Sequence, residues 1–227
     1  MRDDGTIQPA KVTHFTQQGY TIKGLIHGGM NDGEEVYSYQ GLGIQRIIGF
    51  EPLVHAAAKA RELHPDIQVE EIALANTDGF TELIVTKGDG KGSSIYEPIL
   101  ESEEVKKNWQ DNGIIVGHQQ IETMRFATWV KQNNVDLSLY NCLVLDTQGN
   151  EMDVLLGMDD YLYAFDFLSI ELSSTPVYEG ETSAEKVCAW LKEHGYTQDS
   201  EIQSHNDVFF IKNSIKPVSD RVYRGLA

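Results

Sequence analysis

The residues best suited to chemistry stand where apolar runs end. One run stops at His27-Gly28-Gly29-Met30-Asn31-Asp32-Gly33-Glu34-Glu35, and others stop at Glu51, Asp146 and Glu171. An apolar strand that meets a glycine turn and opens a helix is the layout of a nucleotide-binding βαβ unit, with its ligand beyond the carboxyl ends of the strands. A carboxylate only accepts hydrogen bonds, so Glu51 suits the two hydroxyls of a ribose. A pyrophosphate loop wants G-x-G-x-x-G at a helix N-terminus. Here the pattern is H-x-G-x-N-x-G, and two acids, Glu34 and Glu35, open the helix. Those acids favour the helix dipole but repel a pyrophosphate. A cationic or zwitterionic ligand of nucleoside type is more compatible than a nicotinamide dinucleotide.

Holding these residues together requires a sheet with helices on it. Strand patterns over 21–26 and 46–51 flank a helix over 34–42. Pro52 sits in the first turn of the next helix, where its missing N–H costs nothing. Leu53, Ala57, Ala60 and Leu63 share one face of that helix. Residues 67–75 read as a third strand, 80–86 as an antiparallel addition, 87–94 as a loop and 101–110 as a charged helix. Phe126, Trp129 and Val130 form a buried helical stripe. The unbroken apolar run 141–146 fits a central parallel strand covered on both faces. Met152, Leu155 and Leu156 mark a helix, and 165–171 a further strand. Thr182 and Glu185 form a capping box for a helix closed by Gly195. Residues 201–203 and 208–212 pair as a terminal hairpin. The alternation predicts a doubly wound α/β sheet, mostly parallel, with an antiparallel C-terminal hairpin. The expected organisation is an arm or short element over 1–20, one domain over 21–213 and a tail over 214–227.

The chain has 227 residues, enough for one domain with a sizeable core. Its 35 acidic against 18 basic residues give a net charge of −17. That balance argues against nucleic acid and against an anionic membrane surface as partners. Cys142 and Cys188 lack any pairing pattern and fit a reducing compartment. No segment resembles a membrane span or a signal peptide, and a cytoplasmic location is expected.

Several blocks together resemble FkbM-type S-adenosylmethionine-dependent methyltransferases. They are the block from His27 to Glu35, Gly49-Phe50-Glu51-Pro52, Ala73 to Gly79, Lys91 to Ile95, and Asp146 to Glu151 followed by Val154-Leu155-Leu156-Gly157. The family usually has Asp where His27 stands and often Glu where Gln148 stands. The resemblance implies a Rossmann-like class I methyltransferase fold and S-adenosylmethionine as cofactor. It implies cofactor contacts from His27, Gly29, Asn31, Gly33, Glu34, Glu51, Pro52, Ala73, Ser94, Asp146 and Gln148. It also implies methyl transfer to an oxygen of a small, carbohydrate-like acceptor, with Asp146 as first candidate base and Glu171 and His118 after it. No metal is expected. Two other readings stay open. One is a nicotinamide-dependent oxidoreductase on the same kind of sheet. The other is a non-catalytic cofactor-binding protein of this fold, which His27 keeps open.

Overall fold

The apolar runs become strands whose alternate residues feed two separate cores. The computed structural model describes residues 11–99, 114–202 and 206–216. Strands β1 (Leu25–Gly28) and β2 (Ile47–Phe50) are buried throughout. Ile26 and Ile48 point into one core, Leu25 and Ile47 into the other. The second core is closed by α1 (Thr13–Gln17), α2 (Val36–Gly41) and α3 (Val54–Leu63), through Phe15, Val36, Tyr39, Ala57 and Ala60. The first core is closed by α4 (Phe126–Asn133), α5 (Glu151–Leu156) and α6 (Ala184–Glu193). Phe126, Trp129 and Val130 form the expected buried stripe.

Adding β3 (Gln68–Glu70), β7 (Cys142–Leu145), β8 (Phe167–Leu172), β9 (Tyr196–Gln198) and β10 (Asn206–Lys212) completes a sheet of order β3-β2-β1-β7-β8-β10-β9. It is parallel from β3 to β8, and β10 runs antiparallel to both its neighbours. The order reverses between β1 and β7. A second sheet, of order β4 (Ala73–Leu74), β6 (Ile115–Met124) and β5 (Gly79–Thr86), packs Ala73, Leu83 and Ile121 against Leu53 and Ala56 at the start of α3.

Several local expectations change. The run 67–75 serves two sheets: Gln68–Glu70 pairs with β2, and Ala73–Leu74 leaves to pair with β6. No Gly or Pro marks the break, so the sequence reads continuously through it. Strand β6 was not anticipated, because its burial alternates and Val116 is exposed. Leu53 has an extended backbone and caps α3, so Pro52 precedes that helix and is not in its first turn. Ser183 occupies the cap of α6 and makes no side-chain cap bond, so the Thr182–Glu185 box does not form. The hairpin partner of β10 is Tyr196–Gln198, upstream of 201–203. The helix expected over 101–110 lies outside the described residues. Among the described residues no helix is long and apolar enough to cross a membrane.

Candidate active site

Strand register carries the acids to one edge. Gly28 lies level with Phe50 on one side and Leu145 on the other, and Leu145 is level with Ile170. The next residue of each strand, namely Gly29, Glu51, Asp146 and Glu171, therefore emerges at the same edge. That edge is the switch in strand order, where open α/β sheets bind ligands. Asp207 on β10 pairs with Glu171. These residues line a crevice of about 430 Å³.

One end of the crevice is built by the glycine turn. Gly29 has φ +77°, and a Cβ there would lie 1.9 Å from the Asp146 carbonyl oxygen. Any side chain would push β1 and β7 apart at the site. Asn31, in the left-handed region at φ 49°, donates its backbone N–H to Glu51 Oε2 at 2.8 Å. Leu53 N–H donates to Glu51 Oε1 at 2.8 Å. Burial pushes the Glu51 carboxyl up to about 7, and the two N–H groups hold it back only in part. Beside Glu51 stands an apolar wall of Ala73 and Leu83 from the small sheet, Leu53 from the cap of α3 and Ile95 from the loop after β5.

The other end is charged. Lys11 Nζ, on a side chain 12% exposed, donates to Asp146 Oδ2 at 2.8 Å and Asp207 Oδ1 at 3.3 Å. Gln148, itself at φ 55°, donates Nε2 to Asp146 Oδ1 at 2.6 Å and to Glu171 Oε2 at 2.8 Å. Its Oε1 accepts from the Tyr178 hydroxyl at 3.0 Å, and its carbonyl from Ser94 Oγ at 2.7 Å. Asp146 and Glu171 also share a hydrogen bond. Burial raises both carboxyls, but the Lys11 charge overrides it at Asp146, which is held below the usual range. Glu171 is pushed well up, by burial and then by the negative charge of Asp146. Burial opposes the charge on Lys11, and Asp146 and Asp207 more than offset it. Glu151 shapes the turn beneath: its Oε1 accepts from Thr147 N at 2.7 Å and Gly149 N at 3.3 Å.

Gly29, Asn31, Glu34, Glu51 and Pro52 line the crevice, as do Ala73, Asp146, Gln148 and Glu171. His27 does not. It is 1% exposed and packs edge-on to Tyr39, whose hydroxyl lies 3.4 Å from its Nδ1. Burial, helped by the Lys11 charge, lowers its pKa to about 3, so the ring is neutral. Gly33 forms the turn behind the lining, its N–H donating to Met30 O at 3.0 Å. Ser94 supports Gln148 from behind. His118 is not brought to the crevice. It points outward from β6 beside Glu82 at 3.1 Å, while the next residue, Gln119, reaches the Pro52 carbonyl at 3.4 Å. Lys11 and Asp207 were missed. Nothing local marks Lys11, whereas Asp207 could have been found by pairing the hairpin strand against Glu171.

The strand order, with an acid-lined crevice at its switch point, defines a doubly wound sheet of the Rossmann-like, class I methyltransferase fold. The Methyltransferase FkbM domain model matches residues 27–197. The chain belongs to the FkbM methyltransferase family, whose methyl donor is S-adenosylmethionine. A curated relative, 2-O-methyltransferase NoeI of Sinorhizobium fredii (strain NBRC 101917 / NGR234), is 28% identical over 163 residues, 67% of this chain. The match spans 64% of NoeI, less than two thirds of its length. Among solved structures, WbdD with the kinase inhibitor LY294002 aligns at TM-score 0.50 and 11% identity, over 92% of this chain and 42% of that one. Magnesium protoporphyrin IX methyltransferase from Synechocystis PCC 6803, with bound SAM, aligns at TM-score 0.39 and 8% identity, over 83% of this chain and 69% of that one. The likeness to WbdD concerns the fold alone.

The residues present fit this donor. The crevice offers seven carboxylates against two lysines, Lys11 and Lys91, which suits a sulfonium and would repel a pyrophosphate. The apolar wall suits a base, and Glu51 suits a ribose.

Proposed function

We propose that this methyltransferase acts on a hydroxyl oxygen of a small, carbohydrate-like acceptor. The observation that carries this reading is the Asp146–Glu171 pair, bridged by Gln148, at the charged end of the crevice. A hydroxyl must lose its proton as it is methylated, whereas a neutral amine can attack without prior deprotonation. A carboxylate beside the acceptor is therefore most useful for oxygen. The description of NoeI as a 2-O-methyltransferase agrees with this reading.

When bound, S-adenosylmethionine supplies an electrophilic methyl on a sulfonium. The chain's own residues do the rest. Glu51 accepts from the ribose hydroxyls, and the apolar wall takes the base. Gln148 donates to Asp146 and Glu171 and fixes the spacing between them. Asp146, paired with Lys11, stays ionised and is a weak base. The proton therefore goes to Glu171, whose raised affinity for protons makes its ionised form the stronger acceptor. By holding the acceptor hydroxyl at the charged end, these residues would supply part of the rate through orientation alone. Neutral His27 supports the turn from behind.

The test is transfer of labelled methyl to a panel of neutral saccharides and other hydroxylated small molecules, with the product site read by NMR. An O-methyl product is expected. Methylation confined to nitrogen or carbon acceptors would overturn the reading.

A further inference from the structure

Lys11 is a largely covered cation among acids, and it comes from a segment far from every motif of the site. Of the two lysines lining the crevice, Lys91 belongs to the other end. There it pairs with Glu34 at 2.8 Å and Asp89 at 3.1 Å, and its side chain is 50% exposed. Lys11, at 12% exposed, stands between Asp146 and Asp207. The methyl donor has a base and ribose at one end and an α-amino acid at the other. With the base on the apolar wall and the ribose at Glu51, the amino acid falls at the charged end. Its ammonium meets carboxylates there. Its carboxylate would meet like charges, which repel strongly in a partly desolvated site, were it not for Lys11. An ammonium carries three N–H donors, and Asp146 and Asp207 occupy two.

We infer that Lys11 binds the carboxylate of the cofactor's amino-acid end, steadied for that contact by Asp146 and Asp207. The inference rests on the ribose placement at Glu51 proposed above. It separates a ligand contact from a simpler role, in which Lys11 only neutralises Asp146. The two roles predict opposite ligand preferences. Decarboxylated S-adenosylmethionine is more cationic than the parent compound. In a crevice this acidic it binds more tightly than the parent, unless a cation reads the missing carboxylate.

The test is calorimetry on the full chain with S-adenosylmethionine and its decarboxylated form. The wild type is expected to bind the parent more tightly, by about tenfold or more, the scale of a charge-assisted hydrogen bond. Lys11→Gln should abolish that preference, and Lys11→Arg should restore part of it. Glu51→Gln should weaken both ligands alike and keep the preference, so the two placements fail separately. Equal or tighter wild-type binding of the decarboxylated form would overturn the inference. That comparison needs no variant, so it stands even if Lys11→Gln fails to fold. Equal weakening of both ligands in a folded Lys11→Gln protein would also overturn it.

Discussion

Glu51 and Asp146 end two strands on either side of β1 and burial raises both carboxyls, yet their different partners leave them with opposite acid strengths. Glu51 is held by backbone N–H groups of Asn31 and Leu53, and its carboxyl rises to about 7. Asp146 is held by Lys11 and Gln148, and it falls below the ordinary range. Neutral dipoles offset desolvation in part, while a full positive charge at 2.8 Å reverses it. The first arrangement is drawn from neighbours in sequence. The second joins residues 11, 146, 148, 171 and 207, which only the folded sheet brings together. We read the Glu51 end as holding the nucleoside of the cofactor and the Asp146 end as holding its amino-acid end and carrying the chemistry.

If the ends are divided in this way, variants should separate binding from turnover. Glu171→Gln should lower kcat by about 10²–10⁴-fold, the usual contribution of a positioned base, with cofactor affinity nearly unchanged in calorimetry. Equal losses in both would place Glu171 on the cofactor. Glu51→Ala should do the reverse and weaken the cofactor by about tenfold to a hundredfold, the scale of hydrogen bonds to a charged group. An unchanged affinity would remove Glu51 from the ribose.

Acidity should report on the same division. The ionised form of Glu51 is the better acceptor, so cofactor affinity should fall as pH drops below about 7, by at most about tenfold per unit for one proton. Glu51→Gln should flatten this profile. Turnover at saturating cofactor should rise with pH as Glu171 ionises; a flat profile would argue against it as the proton acceptor.

Stability carries a smaller signal. Glu51 and Glu151 both rise from 4.5 to about 7 in the folded protein. Each binds its proton more tightly folded than unfolded. Their contribution is fully present below about 4.5 and is lost as pH rises through 7. The urea midpoint of the cofactor-free protein should therefore fall between pH 5 and pH 8 in roughly this window, and a midpoint that climbed would contradict the assignment. Tyr178→Phe should have the least effect. It removes the hydroxyl that donates to Gln148, worth about 0.5–1.5 kcal/mol, and should slow turnover a few-fold through a looser Gln148.

Legibility in the sequence follows the same division. The strands ending at Glu51 and Asp146 are short, fully apolar and punctuated, so they read correctly. The turn from Gly29 to Glu34 reads because a strand, a turn and a helix need those residue types in that order. Strand β6 was invisible, since its outward residues Val116, His118, Gln120 and Glu122 are of mixed polarity and its pairing with β5 is what makes it a strand. The break inside 67–75 was invisible because nothing in the residues between β3 and β4 says that two sheets share them. His118 looked like a candidate base only until the alternation of β6 turned it outward. His27 looked like a ligand contact until β1 pointed its ring toward α2.

Periodicity, glycine spacing and strand-end acids were enough for the α/β class and for the glycine turn after β1, because each element is marked by residues close together in sequence. The ion pair of Lys11, and the acidity it imposes on Asp146, depend on chain segments 135 and more residues apart. A carboxylate's chemistry is set by the charges around it, and here the charges are brought in by the register of the sheet.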